Sequence, residues 1–253
     1  MQIALVGYGK MGKIIEDLAS DGGHTICSII DPHVDGAFGE LSVEHLKDAE
    51  VVIDFTHPSV ALEHIRFYSS MKIPAVIGTT GWYENLHEVA SLVAADQSTI
   101  LYSGNFSLGV ALFLRSVSYA ASLFGKSGHY DAALIETHHN QKADSPSGTA
   151  VMLANEVLSA FADKKRIDYE AQHQKRGADV LHVSSLRVGS VPGTHTVIFD
   201  CPEDTVELTH TARSRNGFAT GALAAAAWLI DQKPGLYTLE DMVDAVFLKK
   251  EKK

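Results

Sequence analysis

Met1-Gln2-Ile3-Ala4-Leu5-Val6-Gly7-Tyr8-Gly9-Lys10-Met11-Gly12 decides the fold. The first six residues form a short apolar run that leads directly into a G-x-G-x-x-G loop. Behind the glycines, Met11, Ile14, Ile15 and Leu18 recur at i, i+3, i+4 and i+7, one face of a helix. A second apolar run, Thr25 to Ile30, ends at Asp31, nineteen residues beyond Gly12. Strand, glycine loop, helix, strand and acidic residue is the order a dinucleotide-binding βαβ unit requires. Gly7 allows the tight turn, Gly9 lets the backbone approach a pyrophosphate, and Gly12 lets helix and strand pack closely. A carboxylate at Asp31 accepts from a ribose 2′-hydroxyl and repels a 2′-phosphate. Pro32 and His33 bring no guanidinium, and Lys10 and Lys13 compensate only in part. NADH is therefore favoured over NADPH.

The alternation continues to about residue 102. Val51 to Phe55 reads as a buried strand, Ser59 to Met71 as an amphipathic helix, Ala75 to Gly78 as a strand and Glu84 to Ala95 as a helix. Thr99 to Tyr102 looks like the last strand of the series. Such alternation predicts a parallel sheet covered on both faces, with ligands off the carboxyl ends of its strands. Thr56 and His57, Gly78-Thr79-Thr80-Gly81 and Ser103-Gly104-Asn105-Phe106 fall there. Thr79 and Thr80 would serve equally as helix caps, but their place beside the expected cofactor groove favours binding.

From Leu108 the pattern changes. A long helix to Phe124 precedes a strand, Tyr130 to Glu136, and then Glu136-Thr137-His138-His139-Asn140-Gln141-Lys142-Ala143-Asp144-Ser145-Pro146-Ser147-Gly148-Thr149-Ala150. Two imidazoles and an ammonium lie within five residues, in an expected loop that opens a helix capped by Ser147 or Thr149. A helix start holds anions, and the nearby cations add proton donors. A metal is not expected here: adjacent strand residues point to opposite faces, no second His or Cys follows at ligand spacing, and Lys142 would repel a cation. Strand-like runs then follow at Val180 to Val188, His195 to Phe199 and Thr205 to Thr211, with few helices between them. An antiparallel or mixed sheet is expected. The closing helix, Ala219 to Ile230, is expected to pack against the first domain. The fold class is therefore α/β, a Rossmann-type parallel sheet domain plus a smaller α+β domain with a mixed sheet. Residues 1–106 and 215–253 would form the first and 107–214 the second.

The 253 residues carry a formal charge of −10, which argues against nucleic acid as a partner. An acidic protein that binds an anion must concentrate its cations locally, and His138, His139, Lys142 and Arg187 are the candidates. Cys27 and Cys201 show no C-x-x-C spacing, so neither a disulfide framework nor zinc is indicated. The first residues read as a core strand rather than a leader, and Phe218 to Ile230 is too short to span a bilayer. A cytoplasmic protein without a membrane partner is expected. The Lys-Lys-Glu-Lys-Lys tail at 249–253 reads as a solvated end.

Residues 136–150 match E-x-H-H-x-x-K-x-D-x-P-S-G-T-A at every fixed position, and the chain thereby resembles the 4-hydroxy-tetrahydrodipicolinate reductase (dihydrodipicolinate reductase) family. Asp54-Phe55-Thr56, Gly78 to Gly81, Asn105 to Val110, Arg187-Val188-Gly189, Gly193 to Thr196, Glu207 to His210, Ser214-Arg215 and Phe218-Ala219 also fit. Two features depart from the family pattern: the glycine loop lacks an extra residue, and Ser145 stands where Ala is common. The resemblance implies His138 as proton donor and Lys142 as second catalytic cation, with His139, Gly148 and Thr149 on the substrate carboxylates. It places the cofactor on Gly7, Tyr8, Gly9, Lys10, Met11, Gly12, Asp31, Gly78, Thr79, Thr80, Ser103, Gly104, Asn105 and Phe106. It implies hydride transfer from a nicotinamide to a cyclic imine dicarboxylate in lysine and diaminopimelate synthesis, in a homotetramer. Two rivals are a different two-domain dehydrogenase, which has no reason to carry this fifteen-residue set, and an NADH-sensing regulator, which needs no acid.

Overall fold

The opening apolar run forms β1 (Gln2–Val6), whose last four residues are buried. The computed structural model describes residues 1–248, and the lysine-rich tail at 249–253 lies outside them. After β1 come α1 (Lys10–Asp21), β2 (Thr25–Ile30), α2 (Val43–Leu46), β3 (Val51–Asp54), α3 (Pro58–Met71), β4 (Ala75–Ile77), α4 (Leu86–Asp96) and β5 (Thr99–Tyr102). Every residue of β3 and β4 is buried, as expected of central parallel strands covered on both faces. Proline at the first turn and the His57 ring, which accepts from Ser59 N, start α3 immediately after β3.

The chain continues through α5 (Leu108–Ser127), β6 (Asp131–His138), α6 (Gly148–Ala160), β7 (Arg166–Asp168), β8 (Val180–Arg187), β9 (Thr194–Asp200) and β10 (Thr205–Thr211). Then come α7 (Asn216–Leu229), β11 (Gly235–Thr238) and α8 (Leu239–Val243), followed by a π-helical turn at Asp244–Leu248. Two compact units result: Met1–Leu108 with the segment from Arg215, and Gly109–Ser214.

The first unit holds a six-stranded, all-parallel sheet in the order β11-β5-β4-β3-β1-β2. Strand order reverses between β1 and β3, and the loops that begin at Gly7 and Phe55 leave the sheet at that switch point. The expected parallel fold holds, with one difference. β5 is not the outermost strand: β11 pairs with it in parallel. α7 packs against α1 and the middle of this sheet. The approach is close, since a methyl on Gly221 would lie 1.7 Å from the carbonyl oxygen of Phe106.

The second unit holds a mixed five-stranded sheet, β10-β9-β6-β8-β7, in which β6 runs parallel to β8 and antiparallel to β9. α5 and α6 cover one face, where Leu114, Val117, Leu153 and Val157 meet Ala132 and Leu134. α5 is long and apolar enough by composition to cross a membrane, yet Leu114, Val117 and Ala121 recur at helical spacing and pack into this core. β6 runs two residues further than expected. His138 is therefore a strand residue, not part of the loop.

Candidate active site

In the first unit, three features suit a dinucleotide. Gly7 has φ +87°, and a methyl there would lie 2.3 Å from the carbonyl oxygen of Phe55, so only glycine fits beneath the loop. Gly9 caps α1, no side chain satisfies the first amides of that helix, and the space beside its α-carbon is open. Such a helix end suits a pyrophosphate. Asp31 follows β2, with its carboxylate held by Tyr8 N (2.7 Å) and His33 N (2.9 Å). Gly7, Gly9 and Asp31 line a cavity of about 570 Å³ together with Thr56 and His64. Lys10, Met11, Gly78, Gly104, Asn105 and Phe106 line a second cavity of about 270 Å³ with Phe55, Arg215 and Phe218.

Five other residues expected at the cofactor do not line these two cavities. Gly12 is buried under the loop, and the Tyr8 hydroxyl donates to Glu16. Ser103 is buried and bonds to Asn105. Thr79, 4% exposed, accepts from Thr56 N (2.8 Å) and donates to Asp54 (3.2 Å), so it braces the strand ends instead of lining the groove or capping a helix. Thr80 is exposed beside it. The brace centres on Asp54, fully buried, whose carboxylate also accepts from Tyr68 Oη (2.8 Å) and lies 2.9 Å from His64 Nδ1.

In the second unit the strand register assembles the candidate acid. β6 buries alternate residues, so Glu136 and His138 share its inner face. His195 of β9 is the cross-strand partner of Glu136, and Arg187 of β8 is the partner of His138. His138 Nδ1 lies 2.7 Å from Glu136 Oε2, close enough for an ion pair but bent from hydrogen-bond geometry. Glu136 Oε1 accepts from Arg187 Nη2 (3.0 Å) and from Ser147 N (3.1 Å). Ser147 caps α6 through Ala150 N (3.2 Å), and its hydroxyl lies 3.1 Å from His195 Nε2. The cap is thus Ser147 and not Thr149. Gly148 is exposed at the helix start and Thr149 half-buried. His139 is half-buried just past β6, and Lys142 pairs with Asp144 at 2.7 Å.

The charges follow from these neighbours. Burial pushes the Glu136 carboxyl up, but hydrogen bonds from Ser147, Ser185 and Arg187 outweigh it and hold the pKa at about 2. Burial lowers His138, an effect Glu136 opposes and Lys142 and Arg187 reinforce. Burial, with His138 second, pushes His195 down to about 4. Glu136, His138 and His195 bring donor atoms within 4.8 Å, the composition of a metal site. The guanidinium on Glu136 already balances its charge.

Two family models match the chain: "Dihydrodipicolinate reductase, N-terminus" over residues 1–106 and "Dihydrodipicolinate reductase, C-terminus" over residues 109–243. The chain belongs to the dihydrodipicolinate reductase family. It is 36% identical to the 4-hydroxy-tetrahydrodipicolinate reductase of Christiangramia forsetii, over 98% of this chain and 99% of the relative. Identity to the enzyme of the same name from an Exiguobacterium species is also 36%, over 96% of each chain. Among solved structures, the dipicolinate-bound dihydrodipicolinate reductase of Paenisporosarcina sp. TG-14 shares the fold, with a TM-score of 0.77 at 24% identity over 96% of this chain and 99% of that one.

His195 falls in Gly193 to Thr196, a stretch that fits the family, but no role can be read for it there, because only strand register brings it to Glu136. Its depressed pKa has a consequence for stability. A histidine that titrates near 4 when folded and near 6.5 when unfolded costs stability as pH falls below 6.5, and the cost grows until about pH 4. That arm is worth about 3 kcal/mol. His195→Gln should flatten the fall in Tm across this window, and an unchanged slope would assign the pH dependence to other groups.

Proposed function

We propose that this chain reduces 4-hydroxy-tetrahydrodipicolinate, or the dihydrodipicolinate derived from it, to tetrahydrodipicolinate with NAD(P)H, in lysine and diaminopimelate biosynthesis. The observation that carries the reading is His138, set on a buried carboxylate beside Lys142 and the start of α6. A bound nicotinamide supplies hydride. Hydride addition to a conjugated imine leaves negative charge on nitrogen and carbon, so a cation and an acid must stand nearby. Lys142 supplies the charge, and His138 gives a proton from Nε2. A dianionic substrate needs two anchors: the amides of Gly148 and Thr149 at the start of α6 form one, and His139 the other. The dinucleotide lies on the Gly7–Gly12 loop, Asp31, and the strand ends at Gly78 and Ser103–Phe106.

NADH is the favoured cofactor. Asp31 is oriented at the end of β2 by two backbone amides, and neither Pro32 nor His33 offers a guanidinium to a 2′-phosphate. The enzyme works in the cytoplasm as a homotetramer. The outer face of the second unit's sheet supports self-association: Ile135 and Leu186 stand 40% and 54% exposed there, on the side away from α5 and α6.

The test is oxidation of NADH, and separately NADPH, with aspartate semialdehyde, pyruvate and a dihydrodipicolinate synthase. Oxidation that requires the synthase is expected, faster with NADH. Cofactor binding without oxidation of either nucleotide would move a sensor or a different dehydrogenase to the front.

A further inference from the structure

The proton donor in the proposed reaction is one imidazole, yet the structure spends a fully buried carboxylate on it. Glu136 is 1% exposed, and a carboxylate in that position is costly unless each oxygen is used. Oε1 has a structural explanation, since it binds Arg187 and the amide of Ser147 at the cap of α6. Oε2 has none of this kind: His138 Nδ1 lies 2.7 Å from it at ion-pair distance, though bent from hydrogen-bond geometry, and His195 Nε2 lies further off at 3.8 Å.

We infer that Glu136 is the positioning residue of the reaction: Oε2 holds His138 by Nδ1, so that Nε2 is the nitrogen that hands over the proton. This rests on the reading of His138 as proton donor. A methyl on Gly193 would stand 2.9 Å from Nε2, so that backbone keeps space at this nitrogen clear. When Nε2–H transfers its proton, the ring is left neutral with Nδ1–H on the carboxylate, and solvent then returns a proton to Nε2. Glu136 also favours the charged ring before transfer.

The groups around the ring make that contribution necessary. Burial opposes protonation of His138 most strongly, and Lys142 from the loop and Arg187 from β8 add to it. The His195 ring from β9 lies edge-on at 5.1 Å, with His210 of β10 acting on it in turn. Glu136 is the group that opposes them. Through Oε1 the same carboxylate ties the acid to the helix start proposed to bind a substrate carboxylate, so proton donation and anchoring share one buried brace.

The experiment uses the full chain with Glu136→Gln, which keeps an acceptor oxygen for Ser147 and Arg187 but sets an amide against Nδ1. An amide donating there imposes the wrong tautomer, a substitution that elsewhere leaves geometry intact while rate collapses. Expected is a fall in kcat of about 10²–10³-fold with KM within about threefold. The fall of kcat at high pH should also move to lower pH, because the ring has lost the group that favours its charge. Glu136→Asp, which keeps the charge, should restore the wild-type profile at a reduced rate. A loss of kcat with an unmoved pH profile in Glu136→Gln would make the residue merely structural and overturn the inference.

Nitrogen NMR of labelled histidine in the unmutated protein tests the same point without a variant. Neutral His138 should carry its proton on Nδ1, and a proton on Nε2 would overturn the proposal even if Glu136→Gln fails to fold. Full activity in His138→Gln alongside an Nδ1 proton in the unmutated protein would instead sink the proton-donor reading and leave the geometry standing.

Discussion

His138→Gln should lower turnover by about 10²–10⁴-fold, the range for a lost general acid. The replacement is close in size and stays polar, so the face shared with Glu136 and Arg187 remains filled. Nicotinamide binding should be unchanged, because the cavities lined by Gly9, Asp31, Lys10 and Asn105 belong wholly to the first unit. The measurement is kcat in the synthase-coupled assay together with fluorescence titration of NADH. Wild-type turnover in the variant would remove His138 from the chemistry. Loss of turnover together with loss of NADH binding would mean that the substitution had damaged the fold.

Lys142→Ala should have an effect of similar size, about 10²–10⁴-fold on kcat/KM, for a different reason. In the proposed reaction the ammonium faces charge that grows in the transition state; in the structure it is 22% exposed with Asp144 as its partner at 2.7 Å. An incoming substrate anion competes for that ammonium, and Arg187, which donates to the Asp144 carbonyl at 2.6 Å, keeps the loop in place meanwhile. Removing Lys142 should hurt kcat as well as KM, since the negative charge is greater after hydride arrives than before. A rise in KM with kcat unchanged would restrict Lys142 to ground-state binding.

The first βαβ unit was legible because its information is local: an apolar run, glycines at set spacing, a helical apolar stripe, and Asp31 at the end of the next run. The open space at Gly9 and the crowding at Gly7 agree with that reading residue by residue. β11 was not legible. Gly235-Leu236-Tyr237-Thr238 is four residues long and only half-buried, and it becomes a strand by pairing with β5, more than a hundred residues earlier. The candidate acid divides the same way. His138 and Lys142 stand in a contiguous motif, whereas the grouping of Glu136 with His195 and Arg187 exists only through the register of three strands. The setting of the Thr79 side chain was hidden for a related reason: a threonine after a strand looks alike whether its hydroxyl faces a ligand or, as here, the carboxylate of Asp54.

The nucleotide-binding sheet is built from two stretches far apart in sequence, residues 2–102 and 235–238, and this fixes an order of events at birth. During synthesis, five of its strands leave the ribosome long before β11 and α7 exist. β5 then waits with a bare edge, and α1 and the sheet lack the helix that covers them. All the strands of the second unit emerge in that interval, from one uninterrupted stretch, Gly109–Ser214, so it can close while its neighbour is still unfinished. Residues 216–238 therefore act as the latch on the sheet that β1 begins, and a nascent chain arrested near residue 214 holds a complete second unit while the nucleotide fold has yet to shut.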